Sequence, residues 1–174
     1  GDRDIFIANG HTYPQADLSR VNSSYKERNS LFENQGDGRF EDISAKAVTG
    51  FALEAVSRGA SFADYDDDGD VDIFILNLND MPTLLRNDTK PVNHFLKVRT
   101  IGDSSNRDGI GTRLILHAGG QTQHAEVKSG GSYLSHNDLR VHFGLGQIQL
   151  VERLELYWPS GIVQVLENIA ADQT

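Results

Sequence analysis

Hydrophobic and polar positions fall into short β-like runs punctuated by Gly, Asn, Asp and Pro. Two such runs, Ile5-Phe6-Ile7 and Ile73-Phe74-Ile75-Leu76, are built from β-branched and aromatic residues, which suit a pleated, half-buried surface. Further along, Phe95 to Thr100 alternates. Thr112 to His117 follows, and Ala118-Gly119-Gly120-Gln121 turns the chain into His124 to Lys128. Tyr133 to His136 and Leu139 to Phe143 read as two more strands around an Asn137-Asp138 turn. Leu154, Leu156 and Trp158 share one face of a strand while Glu155 and Tyr157 take the other, and Pro159-Ser160-Gly161 turns into Ile162 to Leu166. About seven or eight short strands with frequent Gly and Asn turns predict a sandwich or small barrel for this stretch. No run approaches the roughly 18 consecutive apolar residues of a membrane helix.

The first half carries an internal repeat. Gly1-Asp2-Arg3-Asp4-Ile5-Phe6-Ile7-Ala8-Asn9 matches Gly69-Asp70-Val71-Asp72-Ile73-Phe74-Ile75-Leu76-Asn77. A weaker echo follows each copy, Ser30-Leu31-Phe32-Glu33-Asn34 and Thr83-Leu84-Leu85-Arg86-Asn87. Gly36-Asp37-Gly38 between two β-like runs reads as a hairpin turn. One unit therefore reads strand, acidic loop, strand, connection, strand, hairpin, strand, which is the content of a propeller blade. The first copy lacks its upstream half, as expected of a fragment that begins inside a repeat. His11 to Arg28 has no periodicity and reads as an inserted loop. Ser44 to Gly50 reads as one helical turn, with Ser44 as N-cap and Gly50 at its end. After Asn87-Asp88-Thr89-Lys90-Pro91 the repeat stops. The expected organisation is all-β: partial propeller blades over residues 1–91, then a β-sandwich-like domain over 92–174.

Composition narrows the partners. Hydrophobic residues make up 38% of the chain and charged ones 24%, an ordinary balance for a packed domain. A net charge of -9 argues against nucleic acid and anionic membranes. The chain has no cysteine, which excludes disulfides, thiolate metal sites and cysteine nucleophiles.

The chemistry concentrates between Asp64 and Asp72, where Asp64, Asp66, Asp67, Asp68, Asp70 and Asp72 crowd around Tyr65, Gly69 and Val71. Carboxylates this close repel unless a cation or protons intervene. Oxygen-only ligands on a flexible loop favour calcium. Asp64, Asp66 and Asp68 at alternate positions turn inward, Gly69 permits the sharp turn, Asp70 offers its carbonyl and Asp72 closes the cage. The loop resembles an EF-hand loop as far as Gly69 and then departs, because Ile75 stands where a bidentate Glu is needed and the flanks read as strands. The alternative is a solvated acidic turn without metal. Asp2 and Asp4 are the tail of an equivalent loop whose first ligands are missing, so no metal is expected there. Gly36-Asp37-Gly38 and Asn106-Arg107-Asp108-Gly109 read as plain turns and loops.

Two stretches carry family resemblances. Phe62-Ala63-Asp64-Tyr65-Asp66-Asp67-Asp68-Gly69-Asp70-Val71-Asp72-Ile73 and Leu31-Phe32-Glu33-Asn34-Gln35-Gly36-Asp37-Gly38-Arg39-Phe40 resemble FG-GAP or VCBS repeats, the blades of integrin-α-like propellers. The resemblance implies calcium on Asp64, Asp66, Asp68, Asp70 and Asp72. Ser105-Asn106-Arg107-Asp108-Gly109-Ile110-Gly111, Ser129-Gly130-Gly131-Ser132-Tyr133-Leu134-Ser135, His142-Phe143-Gly144-Leu145-Gly146 and Trp158-Pro159-Ser160-Gly161 resemble the ASPIC/UnbV domain. The two resemblances fall in the order expected of cartilage acidic protein-like and bacterial UnbV-like proteins. The absence of cysteine points to the bacterial branch.

No catalytic constellation stands out. Ser135-His136-Asn137-Asp138 sets triad residue types side by side, but neighbours on one strand point to opposite faces. His94, His117, His124, His136 and His142 scatter without a zinc spacing, and Trp158 reads as packing. The expected function is a non-catalytic, calcium-binding interaction module outside the cytoplasm, extracellular or periplasmic, with a protein or glycan ligand. The alternatives are a carbohydrate-binding or carbohydrate-processing accessory domain and an enzyme domain of unknown reaction. Open blade edges predict either cover from the second domain or self-association with another copy of the chain.

Overall fold

The protein is described by a computed structural model that covers residues 3–18, 24–47, 49–89 and 93–174. The N-terminal part contains β1 (Ile5–Ile7), β2 (Glu27–Arg28), β3 (Ser30–Asn34), β4 (Phe40–Asp42), β5 (Glu54–Ala55), β6 (Ser57–Ala63), β7 (Asp72–Asn77) and β8 (Thr83–Leu85). The C-terminal part contains β9 (His94–Val98), β10 (Arg113–Ala118), β11 (Gln121–Glu126), β12 (Val141–Gly146), β13 (Leu150–Tyr157) and β14 (Val163–Ala170). Two 3-10 turns, Pro14–Leu18 and Thr49–Ala52, are the helical elements among the described residues. The fold is all-β, as the alternation predicts. Each sheet draws its strands wholly from one part: β1-β3-β4, β2-β5 and β6-β7-β8 before residue 90, and β11-β10-β13-β14 and β12-β9 after it. Pro91, where the sequence places the boundary, lies outside the described residues, as does Asp2.

The repeat is structural as well as sequential. β1 pairs with β3 as Ile5 to Phe32, Phe6 to Leu31 and Ile7 to Ser30, and β7 pairs with β8 in the same register as Ile73 to Leu85, Phe74 to Leu84 and Ile75 to Thr83. Three hydrogen bonds recur at equivalent positions. The Asn34 amide donates to Asp4 Oδ1 at 2.8 Å, and the Asn87 amide donates to Asp72 Oδ1 at 2.8 Å. Asn9 Nδ2 donates to Ser30 Oγ at 3.1 Å, and Asn77 Nδ2 donates to Thr83 Oγ1 at 2.9 Å. The side chains of Asn34 and Asn87 each accept an amide two residues on, from Gly36 and Thr89. The motif thus encodes a way of fastening one strand to the next. Asn9→Ala and Asn77→Ala each cost about 1–2 kcal/mol, the worth of one or two partly buried hydrogen bonds. Urea midpoints check this, and a cost at one position alone would contradict the equivalence of the two units.

Gly36-Asp37-Gly38 does turn β3 into β4, with Asp37 accepting from the Arg39 amide and guanidinium. Ser44 does not cap a helix. Its Oγ accepts the Leu31 amide at 2.8 Å, while Asp42 Oδ1 accepts the Ser44 amide at 2.9 Å. The turn at 44–47 is fixed by Ile43, whose carbonyl accepts the Lys46 and Ala47 amides, and Gly50 lies inside the 3-10 turn Thr49–Ala52 instead of ending a helix. The expected loop at 11–28 contains the turn Pro14–Leu18 and ends in β2.

In the C-terminal part Leu114 and Leu116 of β10, Leu154 and Leu156 of β13, Leu96 of β9, and Phe143 and Leu145 of β12 bury into one core, which makes this part a two-sheet sandwich. Trp158 packs against that core. Gly119 and Gly120, both at positive φ, form the β10-β11 turn. Tyr133 to His136 is not a strand. Gly130 at φ 82° and Leu134 at φ 47° break the extended backbone, and this stretch is a loop. The adjoining Asn137 and Asp138 cover an edge of the other half: the Asp138 amide donates to the Phe62 carbonyl at 3.0 Å, and Asn137 Oδ1 accepts the Phe62 amide at 3.2 Å. One open edge of β6 is therefore paired from within the chain.

Candidate metal centre

The acidic loop joins β6 to β7, and its backbone is shaped by its own carboxylates. Asp64, 3% exposed, accepts the Asp68 amide on Oδ1 at 3.1 Å and the Gly69 amide on Oδ2 at 2.9 Å. Asp72, 2% exposed, accepts the Tyr65 amide on Oδ2 at 3.1 Å and the Asn87 amide on Oδ1. Asp68 Oδ1 accepts the Asp70 amide at 2.9 Å. The aspartates are thus loop-forming acceptors before any ion is considered. A carboxylate offers about four lone-pair positions, so Asp64 and Asp72 keep acceptor capacity after these bonds.

Oxygens of Asp64, Asp66 and Asp72 all lie within 4.8 Å of one another. A cation with bonds of about 2.3–2.6 Å can bridge that span, and an all-oxygen donor set suits a hard cation. The residues therefore fit calcium. Asp68 and Asp70 sit in the same loop but outside that mutual group. The crowding is visible in the electrostatics. Desolvation and the neighbouring charges of Asp68 and Asp72 push the Asp66 carboxyl above its ordinary range. Burial, then Asp68, Asp64 and Asp72, push Asp70 the same way. Asp67 behaves oppositely. It adopts the left-handed conformation at φ 59°, and its carboxylate is taken up by Lys97 and Arg140.

The loop is clasped by side chains that sequence reasoning missed. Lys97 Nζ donates to Asp64 Oδ2 and to Asp67 Oδ1, each at 2.7 Å. Arg140 Nη1 reaches the same Asp67 oxygen at 2.7 Å, and its Nη2 donates to the Asp64 carbonyl at 2.9 Å. Asp138 orients that guanidinium through Nε at 2.6 Å. His142 Nε2 lies 2.9 Å from the Gly69 carbonyl, and the His142 ring stacks on Phe95 at 5.7 Å. Lys97 and His142 stand directly opposite each other on β9 and β12. On its other side β9 is held by Asp172 and Gln173, which bond the Phe95 carbonyl and the Lys97 amide. Hydrogen bonds from Lys97 and Arg140 hold the Asp67 carboxyl below the usual carboxylate range. Burial pulls the Lys97 ammonium down, and its bonds to Asp64 and Asp67 outweigh that and leave it above its ordinary value. The sequence signal for this clasp is faint: a lysine on the same strand face as a phenylalanine.

The remaining sequence candidates are structural. Asn106 brackets Ile110 through its amide and carbonyl at 2.7 and 2.8 Å. Asn137 and Asp138 serve the contact with β6 and with Arg140. His94 pairs with Asp172 at 2.7 Å. Among the described residues no helix is long and apolar enough to cross a membrane.

Two known families match separate stretches of the chain. Residues 1–75 match the FG-GAP-like repeat, and residues 102–174 match the family described as ASPIC and UnbV. No curated protein matches the chain.

Proposed function

The chain is an FG-GAP-like repeat followed by an ASPIC and UnbV domain, and from that premise we propose that it is a calcium-stabilised, non-catalytic interaction module of an extracellular or periplasmic protein. The observation that carries this reading is the cluster of Asp64, Asp66 and Asp72 oxygens within 4.8 Å in the loop of an FG-GAP-like repeat. Asp64, Asp66 and Asp72 would hold the ion, with Asp68 and Asp70 beside them. The ion supplies charge compensation that fixes the loop and the blade around it. The ligand is a protein or glycan taken up on the β surfaces, and blade edges not covered by the C-terminal part are a route to self-association.

The test is thermal melting with calcium, with magnesium and with chelator. Calcium at about 100 times its dissociation constant stabilises by roughly 2.7 kcal/mol, so chelation lowers the melting temperature by several degrees. Magnesium restores less, because it demands near-ideal octahedral geometry. Asp66→Ala abolishes the calcium response and leaves the chelated protein no less stable, because Asp66 is exposed and repelled by its neighbours. Asp37→Ala keeps the response. Identical melting with calcium and with chelator would return the loop to a solvated acidic turn.

A further inference from the structure

The structure assigns Lys97 the role of a tethered counter-cation: the C-terminal part buries its ammonium on Asp64, where it holds the acidic loop in shape without a divalent ion and lowers the loop's affinity for one. This rests on the calcium reading above and adds a residue that sets its strength.

The Lys97 side chain is 4% exposed and that of Asp64 is 1% exposed. A lysine is buried at tolerable cost when it is paired and hydrogen-bonded. Lys97 meets both conditions through Asp64 and Asp67, with its ammonium also 5.5 Å from the Phe95 ring centroid. Six carboxylates stand between residues 64 and 72, and Asp138 shares Arg140 with them, so seven carboxylates face the two positive charges of Lys97 and Arg140 and five formal negative charges remain. Asp64 Oδ2 is filled by the Gly69 amide and Lys97, while Oδ1 holds the Asp68 amide and keeps one lone-pair position. A divalent ion on Asp64 must therefore share one carboxylate with an ammonium. Like charges on a shared ligand oppose each other. Coupling is reciprocal, so whatever Lys97 removes from cation affinity the cation removes from the Lys97 contact. A merely structural ion pair would leave the calcium affinity where it is.

The experiment uses the intact chain stripped of divalent ions, with calcium chloride as the probe, read by titration calorimetry and by melting. Lys97→Met binds calcium at least about tenfold more tightly than the wild type, within the usual range of coupling between sites. It melts lower in chelator and gains more from saturating calcium. Lys97→Arg, which keeps the charge, restores wild-type affinity. If Lys97→Met folds only with calcium, the lost charge has been replaced by the ion and the proposal stands. Arg140→Met removes the second cation from Asp67 and tightens binding by about fivefold, at the low end of such couplings. Should both variants bind calcium no tighter than the wild type, the counter-cation role is overturned while the calcium reading survives. Binding by Lys97→Met and none by the wild type would support the tether and overturn the calcium reading. Silence of wild type and variants alike overturns both.

Discussion

Gly69→Ala destabilises the protein by about 3–5 kcal/mol and removes its calcium response, combining backbone strain of about 1–3 kcal/mol with overpacking of similar size. Gly69 sits at φ +101°, a conformation L side chains rarely adopt, and a Cβ there would lie 2.3 Å from Phe95 Cε1 and 2.5 Å from Cδ1. The ring cannot swing away cheaply. It is stacked on His142, and its strand is pinned on one side by β12 and on the other by Asp172 and Gln173. The Gly69 amide and carbonyl are also committed, to Asp64 and His142. Relief has to come from moving the loop, which pulls Asp64 off Lys97. Urea unfolding of the chelated protein measures the cost. Gly69→Ala together with Phe95→Ala removes the clash but keeps the backbone strain, so the double variant loses less stability than the sum of the two single losses. A loss under about 1 kcal/mol in the single variant would mean that the loop and β9 are not packed as described.

Asp64→Ala costs about 3 kcal/mol in chelator, because it leaves a buried ammonium without its main partner. The amides of Asp68 and Gly69 lose their acceptor at the same time. Calcium does not rescue this variant, since the first carboxylate of the triad is gone. The double variant Asp64→Ala with Lys97→Met recovers at least about 1 kcal/mol relative to the sum of the single variants, as contacting residues couple by about 0.5–3 kcal/mol. Strict additivity would show that Lys97 and Asp64 do not interact in solution, and the counter-cation role would fall with it.

The strands were legible wherever side-chain alternation and turn glycines acted together. Ile5-Phe6-Ile7 and Ile73-Phe74-Ile75 form equivalent strands in equivalent registers, because the repeat carries its fastening residues with it: Asp4 and Asp72, Asn9 and Asn77, Asn34 and Asn87. The Tyr133 to His136 strand failed because its backbone answers to a distant element. The Leu134 and Tyr133 carbonyls lie against Gly59 of β6, within 2.8 and 3.3 Å of where a Cβ would stand, and no local pattern announces that approach. The acidic loop was legible as a cluster of oxygen ligands, and its division of labour was not. Periodicity cannot say that Asp67 pairs with Lys97 and Arg140, or that Asp72 spends one oxygen on Asn87. These depend on which surface of the C-terminal sandwich meets the loop, a choice made by tertiary packing.

Calcium at the acidic loop is tested most directly by a crystal of the wild-type protein soaked at millimolar calcium, the range in which extracellular calcium modules bind. The account predicts one strong density peak per chain at the loop, bonded at about 2.3–2.6 Å to carboxylate oxygens of Asp64, Asp66 and Asp72, and no such peak in Asp66→Ala. A wild-type loop that stays without an ion at that concentration, with Lys97 seated on Asp64, would contradict it.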